Sequence, residues 1–220
     1  MAYHGYLGLM CNFSRAFFEK YKKPPKILEI GVDSGITGFA LLNNLTAFKC
    51  PHIYTGVDIL IKDFVEVYYL DYMTLKLNDT KIFLKEENSL FYLERAVKEK
   101  EKFDLILVDG DHNYNTVKKE CELLHNLCHD DTLIIFDDYD GKYKEKDLYY
   151  SDREEYSHVK NQMENKGKAN ENVGLKAPID NFIKKNNFIS FKQMPGPPVC
   201  VINKNNSIIK MNDEESTGEK

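Results

Sequence analysis

The segment Val108-Asp-Gly-Asp-His-Asn-Tyr114 places two carboxylates, a glycine and a histidine directly after the apolar run Phe103–Val108. A tight turn needs one such residue, whereas a reaction site needs several. Histidine exchanges protons near neutral pH, so His112 is a candidate general base for taking a proton from a hydroxyl. The alternative is a histidine that caps the following helix or hydrogen-bonds the loop. The carboxylates around His112 favour the catalytic interpretation.

A second acidic pair, Asp137-Asp138, follows the apolar run Thr132–Phe136 in the same way. In a doubly wound sheet the carboxyl ends of neighbouring strands open into one crevice, so Asp109, Asp137 and Asp138 should converge there. Converging carboxylates repel one another and raise the pKa of at least one of them, unless they share a cation. Oxygen ligands favour Mg²⁺, with Mn²⁺ or Ca²⁺ as alternatives. The sequence therefore predicts a metal site at Asp109, Asp137 and Asp138.

Glycines follow the first apolar run in the stretch ILEIGVDSGIT, residues 27–37. Glu29 is followed by Gly31 and Gly35, which allow a tight turn and the close approach of a ligand before a helix N-terminus. The dinucleotide fingerprint Gly-x-Gly-x-x-Gly is not present at this turn. The observed spacing suits a ligand that carries a carboxylate and an amine but no pyrophosphate. A turn without a ligand is the alternative interpretation.

Polar residues also end the next two β-rich runs. Asp58 closes the run after the glycine turn, where a carboxylate can accept both hydroxyls of a ribose, although a helix-capping acid is the alternative. Asn88 and Ser89 follow the third run, where the edge of an adenine would lie. Both are also good helix caps, and the sequence leaves these two interpretations open.

The elements that position these residues alternate between strands and helices. Continuous apolarity in the strands indicates a sheet covered on both faces, and the order of elements predicts an α/β, doubly wound Rossmann-like sheet, mostly parallel with a C-terminal antiparallel strand pair. The predicted strands are 26–30, 52–57, 81–84, 103–108, 132–136, 188–193 and 199–203. The predicted helices are 37–45, 89–98, 115–127 and 177–185.

The remaining segments complete a single domain over residues 1–204. Residues 1–25 are predicted to form a helical cover over a sheet edge or a pocket. Residues 140–173 are charged and rich in tyrosine, which is typical of an insertion or lid over a site. Residues 205–220 are predicted to be a polar tail.

Composition excludes several classes of protein. The 220 residues carry a formal net charge of −5, which gives no electrostatic reason to expect a nucleic acid partner. The five cysteines show no Cys-x-x-Cys spacing, so a reducing compartment is expected. No apolar run approaches the ~20 residues that a bilayer-spanning helix needs, and no signal peptide is evident. A cytoplasmic protein is the resulting expectation.

These motifs together resemble the class I S-adenosylmethionine-dependent methyltransferases. The resemblance is carried by Glu29-x-Gly31-x-x-x-Gly35, by Asp58 and by VDGDH at 108–112. The longer pattern DLILVDGDHNY followed by DDTLIIFDDY is similar to the metal-dependent O-methyltransferases that act on sugars and natural-product glycosides. That group includes cephalosporin-hydroxylase-like and rhamnosyl O-methyltransferase proteins. The resemblance covers residues 25–203.

The resemblance implies a role for each matching residue. Glu29, Gly31, Gly35 and Thr37 would hold the methionine end of S-adenosylmethionine. Asp58 would bind the ribose, Ile59 would pack on the adenine, and Asn88 and Ser89 would lie at its edge. Asp109 would face both the cofactor and the metal ion, with Asp137 and Asp138 as the other metal ligands. Related enzymes often have Glu-Asp or Asp-Asn where this chain has Asp137-Asp138.

The expected function is therefore methyl transfer from S-adenosylmethionine to a hydroxyl of a small molecule or glycan, assisted by Mg²⁺ or Mn²⁺. The acceptor implied by the resemblance is a sugar, with rhamnose as an example. Two alternatives are an NAD-dependent Rossmann oxidoreductase and a non-catalytic protein that binds S-adenosylmethionine. The only partner expected is the acceptor, with no nucleic acid and no membrane-spanning segment. Whether the protein forms a homo-oligomer is left open.

Overall fold

The computed structural model describes residues 6–74, 79–163, 173–192 and 196–209, with side chains from 70 to 74 excluded. Within these ranges the chain forms one seven-stranded sheet with the strand order β3-β2-β1-β4-β5-β7-β6. The first five strands are parallel, and β7 lies antiparallel between β5 and β6. The predicted doubly wound sheet with a terminal antiparallel pair is confirmed.

The strands match the predicted apolar runs closely. Their bounds are β1 Lys26–Ile30, β2 Ile53–Asp58, β3 Lys81–Glu86, β4 Leu105–Val108, β5 Leu133–Phe136, β6 Phe188–Phe191 and β7 Val199–Asn203. Strands β4 and β5 are buried along their whole length, because helices cover both faces of the sheet. Strand β3 is the edge strand and is largely exposed, which explains its weaker apolar pattern.

Six α-helices surround the sheet in the described residues. They are α1 Leu7–Tyr21, α2 Ile36–Ala47, α3 Asp63–Thr74, α4 Ser89–Lys98, α5 Tyr114–Leu124 and α6 Lys176–Lys185. Helix α3 is absent from the sequence predictions. Phe64, Val67 and Tyr68 on this helix are exposed, so apolar residues occur on more than one face and hide the helical period.

Alternate residues of β4 belong to two separate hydrophobic cores, one on each face of the sheet. Leu105 and Leu107 of β4 pack on the face covered by α1, α2 and α3, whereas Ile106 and Val108 pack on the face covered by α4, α5 and α6. Phe13 and Phe17 of α1 belong to the first core, so the predicted N-terminal helix covers a face of the sheet. The resulting three layers leave the carboxyl ends of the parallel strands as the open edge.

Some predicted segments lie partly or wholly outside the described residues. These are residues 1–5, residues 164–172 of the 140–173 insertion, residues 193–195 at the end of the predicted strand 188–193, and residues 210–220. The predicted tail differs from the structure at its start. Asn206 is buried, Ser207 donates its backbone N–H to Asp131, and Ile208 and Ile209 pack on the first core. In the described parts of the chain, no helix combines the length and apolarity needed to cross a membrane.

Candidate active site

A cavity of about 520 Å³ opens at the carboxyl ends of β1, β2 and β4. This is the usual ligand position in a doubly wound sheet, and the volume suits a small molecule. Its walls come from the loops after these strands, from the start of α4, and from the insertion after β5. The predicted residues on its walls are Glu29, Gly31, Thr37, Asp58, Ile59, Asn88, Ser89, Asp109 and His112. Eight residues predicted to bind the cofactor therefore share one cavity with the candidate base.

The glycine turn after β1 brings the backbone close to the cavity. Gly31 has a φ of +88°, and a Cβ atom at this position would stand 2.0 Å from the carbonyl oxygen of Asp109. Glycine is required here for both reasons. Gly35 does not lie on the cavity wall, in contrast to the predicted contact with the ligand. It lies at the start of α2 and faces the side chains of Val65 and Tyr69 on α3.

Glu29 lies in a buried polar cluster beneath this turn. Its carboxylate accepts a hydrogen bond from the Tyr54 hydroxyl, which in turn lies 3.2 Å from the Tyr69 hydroxyl. Burial, opposed in part by the Tyr54 hydrogen bond, raises the pKa of Glu29 to about 8. Without a positive ligand beside it, Glu29 therefore holds its proton at neutral pH.

Asp58 connects the end of β2 to the glycine turn. The backbone N–H groups of Val32 and Asp33 donate to its Oδ2 at 2.8 and 2.9 Å, and that of Leu60 donates to Oδ1 at 3.0 Å. Burial nevertheless raises the pKa of Asp58 above its ordinary value. Asp58 thus holds two loops together and also lies on the cavity wall. Its backbone partners precede α2 and α3, so the helix-cap interpretation of Asp58 is wrong.

Asn88 and Ser89 are both engaged with the protein. Asn88 is the N-cap of α4, since its Oδ1 accepts from the Leu90 N–H, and its Nδ2 donates to the carbonyl of Gln162 at 2.6 Å. The helix-cap interpretation of Asn88 is confirmed. The Ser89 hydroxyl donates to Oε1 of Glu120 at 2.6 Å. Only the lone pairs of the Ser89 hydroxyl oxygen therefore remain to accept a hydrogen bond from a ligand.

The three predicted metal ligands are neighbours at the ends of β4 and β5. Asp109 and Asp137 share a side-chain hydrogen bond, and the pKa of Asp109 is raised well above its usual range by burial and by the charges of Asp137, Glu29 and Asp138. Asp137 and Asp138 are not on the cavity wall. Asp138 has a φ of +46°, an unusual conformation for a residue with a side chain. No three histidine, cysteine, aspartate or glutamate side chains in the described ranges are placed to hold a metal ion.

His112 lies between the carboxylates and the insertion. Its Nε2 is 3.2 Å from Oδ2 of Asp138 and 3.7 Å from Oδ1 of Asp109. Its Nδ1 is 3.2 Å from the Tyr150 hydroxyl. Because the Asp138 carboxylate accepts hydrogen bonds, the hydrogen of a neutral imidazole belongs on Nε2, and Nδ1 is the basic nitrogen that accepts from the Tyr150 hydroxyl. That base is aimed at the side of the cavity that the insertion covers.

The insertion after β5 forms the outer wall of the cavity. Three 3₁₀ turns at 150–152, 154–156 and 160–162 carry it past the opening. Its contributions to the wall are Leu148, Tyr149, Tyr150, Ser151, Arg153, Glu155, Tyr156 and Met163. Oδ1 of Asp147 accepts from the N–H groups of Tyr114 and Gly174, which ties both ends of this segment to α5. The sequence predicts an insertion over the site but cannot say which of its tyrosines reach it.

Three residues near the cavity are not among the predicted site residues. Tyr6 is buried beside Asp109 and Asp137, and burial, together with the charges of these two residues, raises its pKa. Asp111 lies on the cavity wall and accepts from the Thr116 hydroxyl at 2.6 Å. Glu120 is fully buried on α5. A signal for Glu120 exists in the sequence, because it lies on the apolar face of the helix with Val117 and Cys121.

Acidic groups dominate the cavity wall. Its carboxyl groups are those of Glu29, Asp33, Asp58, Asp109, Asp111 and Glu155. Apart from His112, the basic side chain contributed by the described residues is Arg153, which lies over the Tyr150 ring and 3.6 Å from Glu155. Such a cavity attracts a positively charged ligand and repels an anionic one.

One family model and several solved structures of methyltransferases match this chain. The model of a methyltransferase-domain family matches residues 28–139, which are slightly more than half of the chain. No curated protein matches the chain at a significant level.

Solved structures of methyltransferases share the fold at low sequence identity. CalS11, the calicheamicin methyltransferase, has a TM-score of 0.61 at 12% identity over 89% of this chain and 77% of its own. MycE, solved with Mg, SAH and mycinamycin VI, has a TM-score of 0.51 at 14% identity over 94% of this chain. The bifunctional kinase-methyltransferase WbdD has a TM-score of 0.50 at 13% identity over 92% of this chain. This chain spans only 52% of MycE and 40% of WbdD.

Proposed function

We propose that this chain, which belongs to the methyltransferase-domain family matched by residues 28–139, is an S-adenosylmethionine-dependent O-methyltransferase. The acceptor is a hydroxyl of a small molecule, namely a sugar of the rhamnose type in a glycan or glycoside. A divalent cation, Mg²⁺ or Mn²⁺, assists the reaction. The observation that carries the proposal is the excess of carboxyl groups around a cavity at the carboxyl ends of the parallel strands.

The charge of the cavity fits the proposed cofactor. S-Adenosylmethionine carries a sulfonium, an ammonium and a carboxylate group and so has a net positive charge, and the cavity wall offers six carboxyl groups against one arginine. A neighbouring positive charge favours the ionised form of a buried carboxyl group, so the raised pKa of Glu29 would fall on binding. NAD, with its pyrophosphate, would meet repulsion in the same cavity.

Individual residues would hold the cofactor along the cavity. Glu29, Gly31 and Thr37 would surround its methionine end, with Gly35 shaping the turn. Asp58 would accept the ribose hydroxyls through lone pairs left by its backbone partners, and Ile59 would pack on the adenine. Asn88 and Ser89 would border the adenine edge, and Asp109 would face the reactive centre. S-Adenosylmethionine supplies an electrophilic methyl group when it is bound.

His112 would act as the general base toward the acceptor hydroxyl. Its Nδ1 faces the insertion and lies 3.2 Å from the Tyr150 hydroxyl oxygen. Asp138 orients the ring through Nε2 at 3.2 Å and would stabilise the imidazolium after proton transfer. Holding the hydroxyl and methyl groups in line would provide much of the acceleration.

A divalent cation would be held by Asp109, Asp137 and Asp138. The donor chemistry fits, because clustered carboxyl groups that raise the pKa of Asp109 are relieved by a shared cation. The present placement of these side chains does not assemble three ligands, so binding would require them to turn toward one point. A cation here would lower the pKa of the acceptor hydroxyl.

A sugar acceptor is supported by the tyrosines of the outer wall. Tyr149, Tyr150 and Tyr156 can stack on the faces of sugar rings and hydrogen-bond to hydroxyls. Among proteins of the same fold, CalS11 is described as a TDP-rhamnose 3'-O-methyltransferase, and MycE was solved with mycinamycin VI. The five cysteines are buried free thiols, which suits the cytoplasm as the proposed location.

The deciding experiment has two parts. Calorimetric titration should show binding of S-adenosylhomocysteine and no comparable binding of NADH; the reverse result would overturn the proposal in favour of an oxidoreductase. Methyl transfer from labelled S-adenosylmethionine is then measured against free and glycosidic sugars, with and without Mg²⁺ or Mn²⁺. Tight cofactor binding with no turnover on any hydroxyl acceptor would favour the non-catalytic alternative.

A further inference from the structure

A buried carboxyl group behind the cavity wall has no part in the proposed reaction. Glu120 lies on α5 with a relative exposure of 0%. Its Oε1 accepts from the Ser89 hydroxyl at 2.6 Å. Its Oε2 has no hydrogen-bond partner in the described parts of the chain. Burying a carboxyl group on an apolar helix face is costly in free energy. The single hydrogen bond of Glu120, to Ser89 on the cavity wall, therefore suggests a role for Glu120 at the cavity.

That contact determines what Ser89 can offer to a ligand. A serine hydroxyl has one hydrogen and two lone pairs. The Ser89 hydrogen is directed to Oε1 of Glu120. The proton that Glu120 carries while it is neutral then belongs on Oε2, so only the lone pairs of Ser89 face the cavity. The neighbouring Asn88 is held in place by its own partners, since Oδ1 accepts from Leu90 and one Nδ2 hydrogen is donated to Gln162. This part of the wall therefore presents a hydrogen-bond acceptor.

We infer that Glu120 is a positioning residue that holds the Ser89 hydroxyl as an acceptor and thereby selects a 6-aminopurine over a 6-oxopurine in the cavity. The 6-amino group of adenine donates hydrogen bonds, which suits Ser89. The 6-oxo group of hypoxanthine only accepts, and it would meet the lone pairs of Ser89. This inference rests on the proposed function, since it places the purine of S-adenosylmethionine beside Ser89.

The test compares S-adenosylhomocysteine and S-inosylhomocysteine, which differ in the group at purine position 6 and in the hydrogen that the 6-oxopurine carries on N1. Variants at Glu120 and Ser89 therefore isolate the contribution of the Ser89 hydroxyl to the affinity ratio. The wild-type protein should bind the adenosyl compound roughly tenfold more tightly, the effect of one hydrogen bond. Glu120→Leu frees the Ser89 hydroxyl to rotate and donate to the 6-oxo group. Its affinity for the inosyl compound should therefore rise, and the ratio should fall to within about threefold. Glu120→Gln retains an acceptor for Ser89 and should keep the wild-type ratio.

Controls separate this role from a structural one. Glu122→Leu changes an exposed residue of the same helix and should leave both affinities unchanged. If Glu120→Leu does not fold, Ser89→Ala provides the same test, because it removes the acceptor itself and should also lower the ratio. An unchanged ratio in a folded Glu120→Leu or Ser89→Ala protein overturns the inference while leaving the proposed function intact. A wild-type protein that binds neither compound overturns the proposed function as well.

Discussion

Gly31 lies directly against Asp109, with the backbone of one packed on the backbone of the other. A Cβ atom at Gly31 would stand 2.0 Å from the carbonyl oxygen of Asp109 and 2.6 Å from the Cα of Gly110. The glycine turn after β1 and the acidic loop after β4 are thereby held together at the centre of the candidate site. Two motifs that are far apart in the sequence depend on this contact.

Gly31→Ala should disrupt this contact. Its φ of +88° disfavours a side chain, and the opposing atoms are backbone atoms that cannot turn away. We expect a loss of about 3 kcal/mol in the free energy of unfolding, measured by urea denaturation, with loss of S-adenosylhomocysteine binding. Gly8→Ala is the matched control, because a Cβ there meets nothing within 4 Å, and stability should change by less than about 1 kcal/mol. Similar behaviour of the two variants would contradict the packing argument.

His112→Ala should slow methyl transfer about 10²–10⁴-fold, because the proposed general base is removed. The dissociation constant of S-adenosylhomocysteine should change little, since the imidazole faces the carboxylates and Tyr150. Single-turnover kinetics with saturating cofactor is the measurement. His125→Ala, at an exposed position after α5, should retain wild-type turnover. Near-normal activity of His112→Ala would leave this histidine a structural role.

Asp137→Ala or Asp109→Ala should abolish stimulation of methyl transfer by Mg²⁺ or Mn²⁺ while the protein stays folded. Each removes one proposed oxygen ligand from a set of three, and Asp137→Ala also removes one of the charges that raise the pKa of Asp109. Activity is measured after treatment with EDTA and again after each metal is restored. Asp152→Ala, at an exposed position of the insertion, should respond to metals like the wild type. Full wild-type activity in EDTA would remove the cation from the mechanism.

Glu120 should make stability depend on pH in a defined direction. Burial raises its pKa from 4.5 to about 8 in the folded protein. The folded state therefore binds a proton that the unfolded state releases, and this contribution is complete below pH 4.5 and is lost as pH rises through about 8. Glu29 acts in the same direction.

Glu120→Gln does not titrate, so its melting temperature should fall less between pH 5 and pH 8.5 than that of the wild type. We expect a difference of at least about 1 kcal/mol in the pH-dependent change, equivalent to roughly 3 °C in Tm for a chain of this size. Thermal denaturation at both pH values is the measurement, and Glu122→Gln on the same helix should follow the wild type. Parallel pH dependence of wild type and Glu120→Gln would show that Glu120 ionises normally.

Much of the fold follows from local patterns. Runs such as Leu105–Val108 and Leu133–Phe136 are apolar throughout because both of their faces are covered, and the acids after them mark the end of each strand. Helix α3 escaped prediction because Phe64, Val67 and Tyr68 remain exposed on it, so burial and hydropathy do not coincide. The hydrogen bond from Asn88 to Gln162 could not be predicted either, because Gln162 is 74 residues away along the chain.

The sequence by itself determined the order of the strands, every α-helix except α3, the single sheet, and which polar residues end each strand. Those features depend on hydropathy and turn chemistry between near neighbours. Only the tertiary structure decided that Gly35 faces Val65 and Tyr69, that the Ser89 hydroxyl is directed to Glu120, and that His112 lies between Asp138 and Tyr150. These contacts join segments distant in the chain, and the direction of a hydrogen bond depends on where the packed layers bring the two side chains together.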